Sequence, residues 1–284
     1  MTIDQRIKEM ADYMDVADGQ RQVLGLSKTE EIAQIYSMKR LEVEKAALRN
    51  QIFPARYERN FGTLGYAGQL ALLEATVAVV GLGGLGGLTA ELLARSGVGH
   101  LLLIDPDVYD ETNLNRQIHS REDNLGSRKS ESTRQRIRTI NQSVAVTIMN
   151  QRIDQKSPTD WLSSCQVAVD CLDSLPSRFA LEDKCHTVNI PMVHGAIAGL
   201  MGQVAVMEAD GACLKDLYPS GQGVTDRGIE TFTGNLGSTA ALVASLQATE
   251  VIKLISGVGQ PLKDEAFFIN LVTVEAYKVR LKTS

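Results

Sequence analysis

One stretch constrains this chain more than any other: TVAVVGLGGLGGLTAELLAR, beginning at Thr76. Residues 76–80 are β-branched or small and apolar, the composition of a strand buried on both faces. Gly81-Leu82-Gly83-Gly84-Leu85-Gly86 follows, and Leu88, Leu92 and Leu93 then recur at helical spacing. Strand, glycine turn and helix together read as a nucleotide-binding turn. Missing side chains admit phosphate oxygens, and the helix start offers unpaired N–H groups. A turn that needs glycine only for packing is the competing reading. Four glycines in six positions exceed what packing requires.

Beyond the turn, residues 100–104 (HLLLI) read as a second buried strand, ending at Asp105, which lies 19 residues past Gly86. That is close to where a βαβ unit presents a carboxylate to a ribose hydroxyl. Alternation continues with a helix over 129–140, strands over 144–149 and 167–171, and a helix over 177–188. Strands over 192–194 and 203–207, a long small-residue helix over 237–255 and a strand over 267–272 complete it. The expected fold is α/β: a Rossmann-like, doubly wound, mainly parallel sheet extended by antiparallel strands. Residues 1–53 read as a helical N-terminal extension ending at Pro54, with a capping box at Ser27 and Glu30 and a helix running to about residue 50. Residues 54–284 form the main domain, and 216–234, rich in Gly, Ser, Thr and Asp, read as a crossover loop.

The loop after Asp105 carries the chemistry. It reads Asp105-Pro-Asp107, then Asn113-Leu-Asn115-Arg116-Gln117, then Gly126-Ser-Arg128-Lys129. An amide, a guanidinium and an ammonium at the carboxyl end of a strand suit a polyphosphate better than a nicotinamide. Each cation alone could be a surface charge. Asp173 lies at the end of the fourth strand, over 167–171, and could ligate magnesium, or could cap the following helix. The net charge of −5 argues against a general nucleic-acid binder. No apolar run approaches a membrane span and no signal peptide is legible, so a cytoplasmic protein is expected. Four cysteines without C-x-x-C spacing suggest buried thiols.

These pieces, with RYERN at 56–60, DCLD at 170–173 followed by Arg178, IPMVHGAIAGLMGQVAV and LQATEVIKLISG, resemble the ThiF/MoeB/HesA family, relatives of ubiquitin-activating enzymes, over about 200 residues. The resemblance implies an adenylyltransferase. The C-terminal glycine carboxylate of a ubiquitin-like sulfur-carrier protein ending in Gly-Gly would attack ATP, giving an acyl-adenylate and pyrophosphate. Gly81, Gly83, Gly84 and Gly86 would cradle phosphates, and Asp105, with Asp107, would serve the ribose side. Asn113, Arg116 and Lys129 would hold the triphosphate and Asp173 a Mg2+ ion. Arg59 would reach into the neighbouring subunit of a homodimer, although without the resemblance it and Arg56 read as a solvated surface patch. The chain departs from the family at Cys213, whose pair partner is Asp216, and no second pair follows. No zinc site is therefore expected. The crossover loop lacks a cysteine, so the reaction should stop at the adenylate and leave sulfur to a separate donor. A tRNA-modifying dehydratase of the same superfamily, an NAD-dependent oxidoreductase and a non-catalytic scaffold are the alternatives.

Overall fold

The computed structural model describes residues 1–16, 19–219 and 233–281. The N-terminal extension holds helix α1 (Ile3–Met10), strands β1 (Asp12–Val16) and β2 (Gly19–Leu24), helices α2 (Leu26–Ile35) and α3 (Arg40–Arg49), and the short strand β3 (Phe53–Pro54). It is thus helical but not a single helix. β1, β2 and β3 form a small sheet of their own, and Ser37, at φ 51°, separates α2 from α3. The expected capping box is absent because α2 starts two residues early, with Gly25 at its cap. Ile7, Leu24, Ile32, Val43, Ala47 and Ile52 give the extension its own core, while Leu48, Phe53, Tyr57 and Leu73 join it to the main domain. A buried polar seam reinforces the joint. Ser143 Oγ donates to Glu44 Oε1 at 2.8 Å, and Asn141 Nδ2 donates to the Tyr57 hydroxyl at 2.8 Å.

The main domain continues with α4 (Phe61–Glu74), β4 (Thr76–Val80), α5 (Gly86–Ser96), β5 (His100–Ile104), α6 (Lys129–Ile140) and β6 (Ala145–Met149). Next come β7 (Val167–Asp170), α7 (Leu175–Val188), β8 (Met192–Ala198), β9 (Met201–Met207) and α8 (Leu214–Leu217). The last elements are α9 (Gly237–Ser256), β10 (Glu265–Asn270) and β11 (Glu275–Arg280). One eight-stranded sheet runs β11-β10-β9-β8-β7-β4-β5-β6. The five strands from β8 to β6 are parallel, and β9 to β11 pair antiparallel. The chain leaves β4 toward β5 on one side and returns to β7 on the other. The glycine turn therefore sits at the topological switch point, the position where open α/β sheets bind ligands.

Hydrophobic residues divide over the two faces of the sheet. Val77, Val79, Leu101, Leu103 and Val169 face α5 and α9, whereas Ala78, Val80, Leu102, Ile104 and Ala168 face the α7 side. That alternation is the period of two along each strand. α9 is long and apolar enough to cross a bilayer by composition, contrary to the sequence expectation. It packs into the first of these cores through Ala240, Val243, Ala244, Ala248 and Val251, and buries Gln247 and Glu250. Most of the expected crossover loop lies outside the described residues; its start, Asp216, belongs to α8.

α8 is tied to α7 by Glu182, whose Oε1 accepts the Leu214 N–H at 2.6 Å. Burial, helped by Asp183 and Asp170, pushes this carboxyl up to about 7 from 4.5. The fold therefore favours the protonated form. Its contribution is complete below the unfolded value of 4.5 and is lost as pH rises toward 7. Glu182→Gln keeps an acceptor for Leu214 without the charge. Thermal unfolding at pH 5 and pH 8 should show the variant gaining on the wild type at the higher pH. An equal difference at both would contradict this origin.

Candidate functional site

The turn after β4 is shaped by two of its glycines. Gly81 adopts φ 88°, and a Cβ there would lie 2.6 Å from the Cys171 carbonyl oxygen. A Cβ on Gly86 would lie 1.8 Å from the Gly81 oxygen. Leu82 and Leu85 point into the core and anchor the turn. Gly83 and Gly84 are different. A Cβ on either would make ordinary contacts, 3.6 Å from Gln117 and 3.5 Å from Arg116 and Ala240. Packing explains Gly81 and Gly86 but not the other two, so the space at Gly83 and Gly84 favours a cradle for a ligand.

Three loops meet here, the glycine turn itself being the first. From β5 comes Asp105, 5% exposed, whose Oδ2 accepts the Leu82 N–H at 2.6 Å and whose Oδ1 accepts the Asp107 N–H at 2.8 Å. Burial pushes this carboxyl up, and the two N–H donors and Lys129 pull against it. Asp105 therefore braces the glycine turn from beneath. The ribose role expected for it fits the exposed Asp107 better. Lys129, first residue of α6 and 7% exposed, donates Nζ to Asp107 Oδ2 at 3.2 Å and its backbone N–H to Asp107 O at 3.1 Å. Arg116 lies against Gly84, with Nη1 donating to Thr112 O and Asn115 Oδ1, both at 2.9 Å. Asn113, expected on the triphosphate, is buried and uses its amide on Asp110, accepting the N–H at 3.3 Å and donating at 3.2 Å. It shapes the turn that aims Arg116.

From β7 comes the third loop, in van der Waals contact with Gly81 through Cys171. Asp173 is exposed there, and among the described residues no hydrogen bond or ion pair reaches its carboxylate. It does not cap α7, whose N-cap position is Ser174. Among the described residues no group of three or more His, Cys, Asp or Glu gathers for a metal. A hard divalent ion on Asp173 would thus take its remaining ligands from phosphates and water, the usual arrangement for magnesium. Arg59 is fully exposed, 3.7 Å from Glu58 Oε2, and is not brought to this turn within its own chain. Its neighbour Arg56 instead packs inward on Asn141.

A groove of about 270 Å3 adjoins Gly84 and Arg116, walled by Leu88, Ile118, Gly237 and Ala241. A hollow of about 300 Å3 on the N-terminal extension, around Tyr13, Arg21 and Phe61, includes none of the phosphate-side residues. Behind α5, Glu91 collects Arg136, Arg95 and His119. Burial raises its pKa, but these partners outweigh that and hold it at about 2. This second layer was not legible in the sequence, because its members are brought together from α5, α6 and the intervening loop. Burial also raises all four thiols, Cys165 to about 11 and Cys171, Cys185 and Cys213 above the ordinary range as well.

Known proteins resemble this chain over most of its length. The model of the ThiF family matches residues 57–284. The SAMP-activating enzyme E1 of Haloferax volcanii is 34% identical over 231 residues, covering 81% of this chain and 86% of that protein. The molybdopterin-synthase adenylyltransferase of Salmonella typhimurium is 32% identical, covering 80% of this chain and 92% of its own length. The adenylyltransferase and sulfurtransferase MOCS3-1 of Zea mays is 33% identical over 81% of this chain, which spans 50% of that longer protein. Among solved structures, E. coli MccB with ATP superposes with a TM-score of 0.66 at 20% identity, covering 92% of this chain and 80% of that one. The chain belongs to the ThiF family.

Proposed function

We propose that this protein adenylates the C-terminal carboxylate of a small ubiquitin-like sulfur-carrier protein ending in Gly-Gly. The observation that carries the reading is the meeting of Arg116, the Lys129–Asp107 pair and the Asp173 bend around a glycine turn with room to spare at Gly83 and Gly84. The names of the relatives, two of them adenylyltransferases and one an activating enzyme, support it.

Phosphates would lie on the N–H groups of residues 83–86, with ribose hydroxyls donating to Asp107. The acceptor carboxylate oxygen attacks the α-phosphorus. A new P–O bond forms as the bond to the β-phosphate oxygen breaks, and pyrophosphate leaves with that electron pair. Arg116 and Lys129 neutralise charge growing on the phosphoryl oxygens and leaving group, the main contribution a protein makes to such transfers. Asp173 would hold Mg2+, which supplies further neutralisation of the phosphates. Burial raises all four thiols, which favours a reaction that stops at the adenylate over transfer of the acyl group to a cysteine.

ATP–pyrophosphate exchange tests the reading: exchange should require both a carrier ending in Gly-Gly and Mg2+. Tight NADH binding without ATP binding would select the oxidoreductase instead. In the homodimer we propose, Arg59 serves the partner's nucleotide. Mixing Arg59→Ala with Arg116→Ala, each inactive alone, should restore part of the activity by forming one intact site per mixed dimer. No recovery after subunit exchange would place Arg59 outside the reaction.

A further inference from the structure

Behind the bend that carries Asp173, hydrogen bonds close into a ring. Leu172 is held at both ends of its backbone. Its N–H donates to Asp170 Oδ1 at 3.0 Å, and its carbonyl accepts Nε and Nη2 of Arg178 at 3.0 and 2.7 Å. Arg178 Nη1 donates to the Tyr218 hydroxyl at 3.1 Å. That hydroxyl is 3.1 Å from His194 Nε2, and His194 Nδ1 is 2.7 Å from Asp170 Oδ2, which returns the path to its start. The Gln203 amide also donates to the Tyr218 hydroxyl.

Donor accounting orients the links at His194. A carboxylate only accepts, so His194 carries its proton on Nδ1 and leaves Nε2 as an acceptor. Nε2 lies 3.1 Å from both the Tyr218 hydroxyl and the Gln203 amide nitrogen, and Arg178 and that nitrogen only donate. Asp170 and His194 are fully buried and the Arg178 side chain is 11% exposed, so a broken link would leave a polar group without water. Among the described residues Asp173, one residue beyond the pinned Leu172, has no side-chain hydrogen bond or ion pair of its own to set its place. Its carboxylate is located by the backbone that the ring holds.

We propose that Tyr218, acting through Arg178 and the Leu172 peptide, is a positioning residue for the metal-binding carboxylate of Asp173. The proposal rests on the reading of Asp173 given above. Loss of the hydroxyl removes one of the acceptors of a buried guanidinium. Arg178 then relaxes toward Asp170, whose Oδ2 is already 3.9 Å from Nε, and releases the Leu172 carbonyl. The resemblance gives no role to Tyr218 or to His194; they lie 24 residues apart in sequence and meet only in the fold.

Manganese titrated into the chain saturated with a non-hydrolysable ATP analogue, followed by electron paramagnetic resonance, tests this. Tyr218→Phe should raise the Mn2+ dissociation constant about tenfold, the scale for residues that orient a metal ligand. Asp173→Asn should weaken binding as well, and Tyr218→Phe should add nothing in that background. An unshifted constant in Tyr218→Phe, or a full additional loss on top of Asp173→Asn, overturns the role. If Tyr218→Phe does not fold, Arg178→Lys keeps the charge beside Asp170 but cannot fork the Leu172 carbonyl. The same pattern is then expected, and an unshifted constant again overturns it. Absence of nucleotide-dependent Mn2+ binding in the wild type would overturn the proposed function and this role with it. Wild-type binding with an indifferent Tyr218→Phe would overturn this role alone.

Discussion

Lys129→Ala is expected to slow adenylate formation by about 100- to 1,000-fold, the scale for removing one preorganised charge from a developing oxyanion. Lys129 begins α6 at 7% exposure, and Asp107 holds it twice, through Nζ at 3.2 Å and through its N–H at 3.1 Å. The ammonium is therefore in place before substrate arrives. Without it, Asp107 faces a triphosphate unopposed, and Asp105, already raised by burial, loses a cation that favours its charged form. Arginine would not substitute well, because its planar fork is too wide for a site built around a compact ammonium. Single-turnover rates with an acceptor ending in Gly-Gly check this. A rate within threefold of the wild type would remove Lys129 from the mechanism.

A second large effect separates packing from phosphate binding within the glycine turn. In Gly86→Ala the new methyl would sit 1.8 Å from the Gly81 oxygen, an overlap no side-chain movement relieves. The turn must reorganise, at a cost on the order of 3 kcal/mol or more, with loss of nucleotide binding. Gly83→Ala instead meets Gln117 at an ordinary 3.6 Å. It should leave the melting temperature nearly unchanged while weakening ATP binding at least tenfold, an effect of about 1.4 kcal/mol. Calorimetric unfolding and nucleotide titration on the two variants give both numbers. Undiminished ATP binding in folded Gly83→Ala would mean that the turn is a packing device.

The parallel core was legible because each element announces its period. Residues 100–104 and 129–140 are found where the sequence places them, since one is a continuous apolar run and the other a helix set between polar turns. Elements without a buried face were missed. Residues Asp12–Val16 are exposed or half-exposed throughout, and Glu275–Arg280 are exposed at all six positions, so neither strand carries an apolar alternation. In α4, Gly65 at φ 58° interrupts the helical pattern without ending the element.

In the site, residue types were legible and their partners were not. Spacing in the sequence favours Asp105 over Asp107 for the ribose. Only the fold shows that one is buried under Leu82 while the other faces outward with Lys129. Asn113 has the right chemistry for phosphate, but its neighbour Asp110 takes up its amide. The ring through His194 and Tyr218 and the Glu91 cluster join distant segments, which no local spacing encodes.

Oxygen-isotope transfer tests the central claim most directly. A carrier whose terminal carboxylate is labelled with 18O is incubated with the enzyme, ATP and Mg2+, and a thiol or hydroxylamine is added to cleave the adenylate at its carbonyl. Attack of that carboxylate on the α-phosphorus would leave one labelled oxygen in the released AMP and none in pyrophosphate. AMP formed without label, or label appearing in pyrophosphate or orthophosphate, would contradict the account.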